Sequence, residues 1–440
     1  MTEQKYISGD SAVNIATSIE TALHDSRLLP GQALPTVREL AATLRVSPTT
    51  VAGAYKLLRA RGLVSGLGRR GTRIAARPPS PTAARSLVPE GTIDLANGNP
   101  DPDLLPSLSQ ALRAIDVVQR PYDAPSQLPQ LAAFAAGEFQ ADNIPSTHLT
   151  IVGGGLDGIE RILREHLRPG DRVAVEDPSF PGVLDLIAAS GLFPVPYAID
   201  DDGPLADSFE AALSARARAA IVTPRAQNPT GAALTLARAR ELASALRQHP
   251  SVVLIEDDHA GPIAGVPAVT LCDGTQTNWA VVRSVSKFLG PDLRVAVVAG
   301  DRTTVSRVEG RQALGTRWVS HILQQVVLAL WSDPSSARRL ARAAETYRHR
   351  RETLIRELRA RGVSAFGKSG LNVWVPLREE ARTVQMLLER GWAVTPGERF
   401  RLHTGPGIRV TIAALRAEDA ARFADDLADI VQSSGVSRLA

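Results

Sequence analysis

The sequence predicts an α/β protein: a small helical head in front of a large domain with a mostly parallel sheet. Three observations carry that expectation. From about residue 92 onward, short apolar runs alternate with amphipathic helices; the runs include LTIVGGG, RVAVED, AAIVTP, VVLIEDD and AVVRSV. Runs that are apolar throughout belong to strands covered on both faces, the habit of parallel sheets. The first 80 residues hold 11 Lys and Arg against 5 Asp and Glu, whereas the remaining 360 hold 39 against 41. The positive excess thus lies wholly in the first fifth of the chain, as in a part that meets a polyanion; a solvated basic face without a partner is the alternative. Between the two lies RPPSPTAARSLVPEG (77–91), rich in Pro, Ser and Ala and without periodicity, which reads as a linker.

At 440 residues the chain is too long for one ordinary core. The expected division is a head over 1–76, the linker over 77–91 and a large domain over 92–440. The last has a large subdomain over about 115–310 and a small C-terminal α+β subdomain from about 311. With 44% hydrophobic and 22% charged residues the composition is that of a soluble globular protein. No apolar run approaches the ~18 residues that span a bilayer, and MTEQKYISGD lacks a signal-peptide pattern, so a cytoplasmic location and no membrane partner are expected. Cys272 is the one cysteine, which rules out an internal disulfide and a Cys-based zinc site; no metal site is expected.

The head is read element by element. AVNIATSIETALHDS (12–26) places Val13, Ile15, Ile19 and Leu23 on a helical stripe, and LLPGQALPT is a Pro/Gly-marked turn. VRELAATLR (37–45) is a second short helix. VSPTTVAGAYKLLRARG (46–62) is a third, with Ser47 as N-cap and Gly62 as its stop. LVSGLGRRGTRIAA (63–76) holds two β-like segments around a Gly/Arg tip. Helix, helix-turn-helix and basic hairpin follow each other in the order of a winged helix-turn-helix. In such a head the third helix enters the major groove of double-stranded DNA with its first turn facing base edges. Ser47, Thr49 and Thr50 are short donors and acceptors there, while Arg38 and the wing-tip residues Arg69 and Arg70 reach phosphates or the minor groove. Over residues 8–76 the segment resembles the GntR-type winged helix, and the resemblance implies that Arg38 and the first turn of the third helix contact the operator. Pro48 stands where many members carry Arg, so base reading is expected to rest more on Thr49, Thr50, Tyr55 and the wing. A winged helix used for protein contacts is the alternative.

In the large domain, RSVSKFLGPDLR (283–294) sets a single lysine, Lys287, between two strand-like runs. A lysine that condenses with an aldehyde must be shielded from water, and burial lowers its pKa. Pyridoxal phosphate (PLP) is the cofactor that exploits such a lysine, and its site needs a carboxylate at the ring nitrogen and a phosphate cradle. Each need has a candidate. IVGGGLDGIERILREHL (151–167) runs from strand through three glycines into an amphipathic helix, whose Gly155 and Leu156 N–H groups can hold a phosphate. In IEDDHAG (255–261) Asp257 can face a ring nitrogen, and in NPTG (228–231) Asn228 can donate to a phenolic oxygen. Phe180, in EDPSFPG, offers a flat face for stacking, with core packing as the alternative; Ser284 and Arg294 are further phosphate ligands.

In this order and spacing, residues 92–435 resemble the fold-type I PLP enzymes of the aspartate aminotransferase superfamily. The resemblance implies Lys287 as the aldimine (Schiff base) lysine and catalytic residue, Asp257 as pyridinium partner, Asn228 as O3′ donor and Phe180 as ring stacker. It also implies Arg409, in GPGIRVTIA, as clamp for an effector carboxylate, a task suited to a bidentate guanidinium. A structural ion pair is the alternative for Arg409. Gly98, in LANGNPDPDLLP, matches the loop that covers the ligand, or is a simple turn. Tyr122 matches the tyrosine that reaches the partner's cofactor phosphate in the superfamily dimer. His259 stands where most relatives have tyrosine, still able to donate to O3′ but with a titratable ring. Near RPYDAPSQLPQLAAF (120–134) the usual glycine and following arginine are missing, which puts turnover in question more than cofactor binding.

A winged helix followed by such a domain is the architecture of the MocR subfamily of GntR-type regulators. The resemblance implies a bacterial transcriptional regulator, on the nucleoid when bound to its operator. It also implies a homodimer through the aminotransferase-like domain that senses PLP or an amino-compound effector through an aldimine. The alternative is an active PLP-dependent aminotransferase with an appended DNA-binding head. His259 and the altered loop point to a sensor of vitamin B6 rather than a transformer of amino acids. No physiological turnover is expected; a vestigial PLP-dependent aminotransferase activity is the alternative.

Overall fold

The computed structural model describes residues 6–24, 27–29, 31–60, 63–66, 71–74 and 88–436. The chain divides into two compact units, one built on residues 1–87 and the other on most of the chain from 88 on. In the first, α1 (Ala12–His24), α2 (Val37–Leu44) and α3 (Pro48–Ala60) precede an antiparallel hairpin of β1 (Val64–Gly66) and β2 (Thr72–Ile74). Local chemistry sets the helix starts. Thr36 and Glu39 form a capping box on α2, the Thr36 N–H donating to the Glu39 carboxylate at 2.8 Å and the Glu39 N–H to the Thr36 hydroxyl at 3.3 Å. Ser47 caps α3 by accepting from the Thr50 N–H at 3.1 Å, and Pro48 takes the first helical position, where its missing N–H costs nothing. Ile15 and Ile19 of α1, Leu40 of α2, Val51, Ala54, Tyr55 and Leu58 of α3, and Val64 and Ile74 of the hairpin close one small core.

The second unit opens with a short strand, β3 (Ile93–Asp94), and α4 (Leu108–Ala114) and α5 (Pro129–Ala141). Its main sheet then takes β4 (Leu149–Val152), β5 (Arg172–Asp177), β6 (Phe193–Asp200), β7 (Gly203–Pro204), β8 (Ala217–Val222), β9 (Val253–Asp258), β10 (Trp279–Ser284) and β11 (Ala296–Gly300). Their order across the sheet is β4-β11-β10-β9-β8-β5-β6-β7. Strands β8, β9 and β10 are parallel, and β11 runs antiparallel to both of its neighbours. Every residue of β9, β10 and β11 is buried, the apolar starts of β9 and β10 as strands covered on both faces require, with the acids and the arginine confined to their carboxyl ends.

Helix α6 (Gly155–His166) turns Gly158, Ile159, Ile162 and Leu163 onto this sheet. A Cβ on Gly158 would come within 3.0 Å of Val282 and 3.2 Å of Val152, so glycine lets the helix lie close on β10 and β4 and fixes where its N-terminus ends up. The C-terminal part adds a three-stranded antiparallel sheet of β12 (Asn372–Pro376), β15 (Gly407–Thr411) and β14 (Thr395–Pro396), while β13 (Trp392–Ala393) pairs in parallel with β3. The long helix Pro334–Ala360 packs along the last one, Ala417–Val436. Among the described residues no helix is long and apolar enough to cross a membrane.

Candidate functional site

The carboxyl ends of the parallel strands converge on one cleft, the place where open α/β sheets bind ligands. Beyond β4, Gly154 has φ +115° and serves as N-cap of α6, with no side chain to cover the first helical N–H groups. Arg294 sits opposite. A Cβ on Gly154 would lie 2.9 Å from a guanidinium nitrogen of Arg294, and one on Gly155 3.5 Å from Cβ of Ser284. Arg294 has no ion-pair partner among the described residues and adopts left-handed backbone geometry, φ 47°, at the turn before β11. A helix N-terminus and a guanidinium facing each other across bare glycine backbone make a cradle for a doubly charged anion.

At the ends of β9 and β10 two adjacent aspartates have opposite fates. Asp258 accepts from Arg225 Nε at 2.8 Å and Arg283 Nε at 2.6 Å, and Asp142 accepts from the same two guanidinium groups at 3.2 and 2.6 Å. The two arginines hold the Asp258 carboxyl far below the usual carboxylate range, against its burial. Asp257 is equally enclosed, yet its Oδ1 has no hydrogen-bond partner. Burial, then the charges of Asp258 and Glu176, push its carboxyl up to about 7. An orphaned buried carboxylate oxygen is costly unless a cationic donor meets it.

Lys287 follows β10 by three residues and donates from Nζ to the Gly98 carbonyl at 2.5 Å. Burial, then the charge of Arg409, lowers its amine to about 8. Gly98, at φ +66°, lies face to face with Arg409: a Cβ there would sit 3.2 Å from a guanidinium nitrogen. Arg409 donates to Asn228 Oδ1 at 3.2 Å, to the Ala96 carbonyl at 2.5 Å and to Thr395 Oγ1 at 3.1 Å, over the Phe400 ring. Its Nε is unpartnered, and burial lowers the guanidinium to about 10. It makes no ion pair within 4 Å among the described residues; the charge of Asp94 opposes the effect of burial. His259 is half-buried, and burial followed by the Lys287 charge lowers its imidazole to about 4, leaving it neutral at pH 7. Phe180 is 37% exposed and leans over Gly182 beside Leu156. Tyr122 is not drawn into the cleft of its own chain: it is 77% exposed, with its ring 5.9 Å from that of Trp318 and the Arg317 guanidinium over it.

In the head, Arg38, Ser47 and Thr49 are exposed and Thr50 is half-buried, its hydroxyl 2.7 Å from that of Ser47. Tyr55 departs from expectation. It is 2% exposed, its hydroxyl donates to the Pro35 carbonyl at 2.7 Å, and burial raises the phenol far above its usual range. Tyr55 is a core residue that ties α3 to the turn before α2, not a base reader. The spacing 51, 54, 55, 58 is itself a helical core stripe and was the signal for it. Arg69 and Arg70 lie outside the described residues.

Sequence reasoning missed Arg225, Arg283 and Asp142, and also Glu176, which accepts from the Thr223 N–H at 2.7 Å and from Gln227 Nε2 at 2.9 Å beneath the Asn228 turn. These partners lie far apart in the chain, and no local pattern marks them.

Comparison with known proteins places both units. Residues 91–427 match the aminotransferase class I and II family, and residues 11–74 match the gntR family of bacterial regulatory proteins. The chain is 39% identical over 425 residues to the vitamin B6 salvage pathway transcriptional repressor PtsJ of Salmonella typhimurium, covering 96% of this chain and 98% of that one. It is 25% identical to the HTH-type transcriptional regulator TauR of Rhodobacter capsulatus over 85% of this chain and 86% of that one. Among solved structures, the multiple substrate aminotransferase of Thermococcus profundus superposes with a TM-score of 0.73 over 82% of this chain and 97% of its own, at 19% identity, a likeness of fold. With both units matched in one chain, this protein belongs to the MocR subfamily of GntR-type transcriptional regulators, in which a winged helix-turn-helix is fused to an aminotransferase-like domain.

Proposed function

We propose that this protein is a transcriptional regulator that binds double-stranded DNA through its head and senses PLP, or an amino compound that reacts with it, in the cleft of its large domain. The observation that carries the reading is that likeness to a vitamin B6 salvage repressor runs through head and large domain alike, in a chain that carries Lys287, Asp257, Asn228 and Arg294. When bound, PLP supplies an aldehyde that condenses with an amine and a ring that withdraws electrons.

The residues present fit this group. The unpartnered Oδ1 of Asp257 is suited to hold a protonated pyridine nitrogen, which would satisfy it and keep it ionised. Arg294, Ser284 and the Gly155 and Leu156 N–H groups would take the phosphate. Asn228 would donate to the phenolic oxygen, with neutral His259 beside it, and Phe180 would cover one ring face. Lys287, already lowered to about 8, holds its amine partly unprotonated at neutral pH, the form that meets an aldehyde. Arg409, with its free Nε and Gly98 alongside, is placed to receive a carboxylate from an amino-acid-like effector. Exposed Tyr122 suits a homodimer in which it completes the partner's cleft. An effector acts only by binding one arrangement of the protein better than another.

The test is binding to the DNA upstream of its own coding sequence, measured with and without PLP and then with candidate amines, over a range of salt. The reading expects affinity to fall steeply with salt, because the head is basic, and PLP to change it by about tenfold, or ~1.4 kcal/mol. DNA binding that is absent, or indifferent to PLP at saturation, overturns it.

A further inference from the structure

Arg351 lies on the long helix Pro334–Ala360 and is 2% exposed, yet no carboxylate pairs with it among the described residues. Burying an uncompensated guanidinium is unfavourable enough to lower its pKa to about 10. All of its hydrogen bonding goes to one short loop: NH1 donates to the Gly370 carbonyl and NH2 to the Lys368 carbonyl, both at 2.8 Å. Nε has no partner. A planar fork spent on two backbone carbonyls of one turn fixes that turn's orientation more than it adds stability.

The loop in turn grips the segment that carries Asn228. The Lys368 and Ser369 N–H groups both donate to the Gly231 carbonyl at 2.8 Å. The Ser369 hydroxyl, fully buried, accepts from the Ala226 N–H at 2.6 Å and has the Gly231 and Ala232 carbonyls at 3.3 and 3.2 Å. Contact is as close as glycine permits: a Cβ on Gly370 would lie 2.3 Å from that of Ala226, and one on Gly231 2.5 Å from the Asn372 carbonyl oxygen. From the other side Gln227 is anchored to Glu176 and to the Pro178 carbonyl. Residues 226–232 are thus held between the main sheet and the C-terminal part of the chain.

We propose that Arg351 and Ser369 are positioning residues for Asn228, a strut through which the long helix sets where that side chain meets the phenolic oxygen of PLP. Neither residue touches the cofactor. Their effect on it passes through the backbone of 226–232. The inference rests on the PLP-binding reading above.

The test uses the full-length protein loaded with PLP and follows the absorption band of the bound cofactor as a function of pH, together with PLP affinity from tryptophan quenching. Asn228→Ala removes a donor to the phenolate and should raise the midpoint of the band by about one pH unit and weaken PLP about tenfold. Arg351→Met, which removes the guanidinium and keeps the chain length, should shift both in the same direction. Arg351→Lys should restore part of the shift, and Arg351→Met on top of Asn228→Ala should add nothing further. Ser369→Ala, a milder change, carries the same test if Arg351→Met does not fold, as judged by far-UV circular dichroism. Folded variants that keep the wild-type midpoint, or a shift fully additive with Asn228→Ala, overturn the strut. A wild-type protein that takes up no PLP overturns the cofactor reading and the strut with it, an outcome visible before any variant is made.

Discussion

The two functional regions of this chain are built on opposite principles. In the head, Arg38, Ser47 and Thr49, proposed to meet DNA, stand exposed on α2 and around the start of α3, held by one or two local bonds such as that between Ser47 and Thr50. In the cleft, Asp257, Ser284 and Arg409 are buried, Lys287, Asn228 and His259 half-buried and Arg294 exposed, and they come from strands and loops far apart in sequence, from Gly98 to Arg409. Exposed charges act at a distance through a screening solvent, so the head works by their sum. Buried groups act singly, because each is worth what its own surroundings make of it.

Breaking one cleft group should therefore have an effect that no single exposed residue of the head has. Lys287→Ala should abolish the attachment of PLP that survives borohydride reduction, read as loss of the pyridoxyl mass on the protein, while the cradle still holds some PLP reversibly. Unchanged trapping at another lysine would remove Lys287 from its role. Asp258→Asn comes next. It leaves Arg225 and Arg283 short of a charge partner in the interior and should cost about 3–5 kcal/mol of stability in denaturant unfolding at pH 7.

The neighbouring aspartates should also differ in sign. Asp258, depressed in the fold, contributes stability above its unfolded value near 4 that is lost as pH falls through its folded value. Asp257, raised to about 7, makes the PLP-free protein lose stability as pH rises from about 4 to about 7, a slope that Asp257→Asn should flatten. Smaller again is the pH effect on PLP capture. The neutral Lys287 amine is the nucleophile, so the rate should climb about tenfold per pH unit at low pH and level off above about 8, as followed by stopped-flow absorbance.

The smallest effects should belong to the head. Arg38→Ala should weaken DNA binding at all sequences alike and reduce the salt slope by about one. Tyr55→Phe should instead cost about 1 kcal/mol of head stability, the worth of its bond to Pro35, and leave sequence preference untouched. A changed preference would return Tyr55 to the DNA surface.

What the sequence made legible follows the same division. Strands β4, β5, β8, β9 and β10 announced themselves as short, mostly apolar runs, and several cleft candidates stood just beyond the end of one, beside a turn or glycine. Lys287, Asp257, Asn228 and Gly155 were findable because their local chain does one recognisable thing: it leaves a strand. Arg351 and the Arg225–Asp258–Arg283–Asp142 cluster were not. An arginine reads as surface until its partners are known, and here the partners are backbone carbonyls or acids brought in by the sheet. Tyr55 failed in the reverse direction, since its hydroxyl suggested a contact that its helical phase denied.

The wide spread of the cleft residues also bears on the order in which a newly made molecule becomes competent. Chains emerge from the ribosome N-terminus first and fold unit by unit. The core of the head is complete once Ile74 is available, whereas Arg409 arrives on β15, the last strand of all. For much of its synthesis the polypeptide thus owns a finished head and an unfinished cleft. The part that grasps is made before the part that senses.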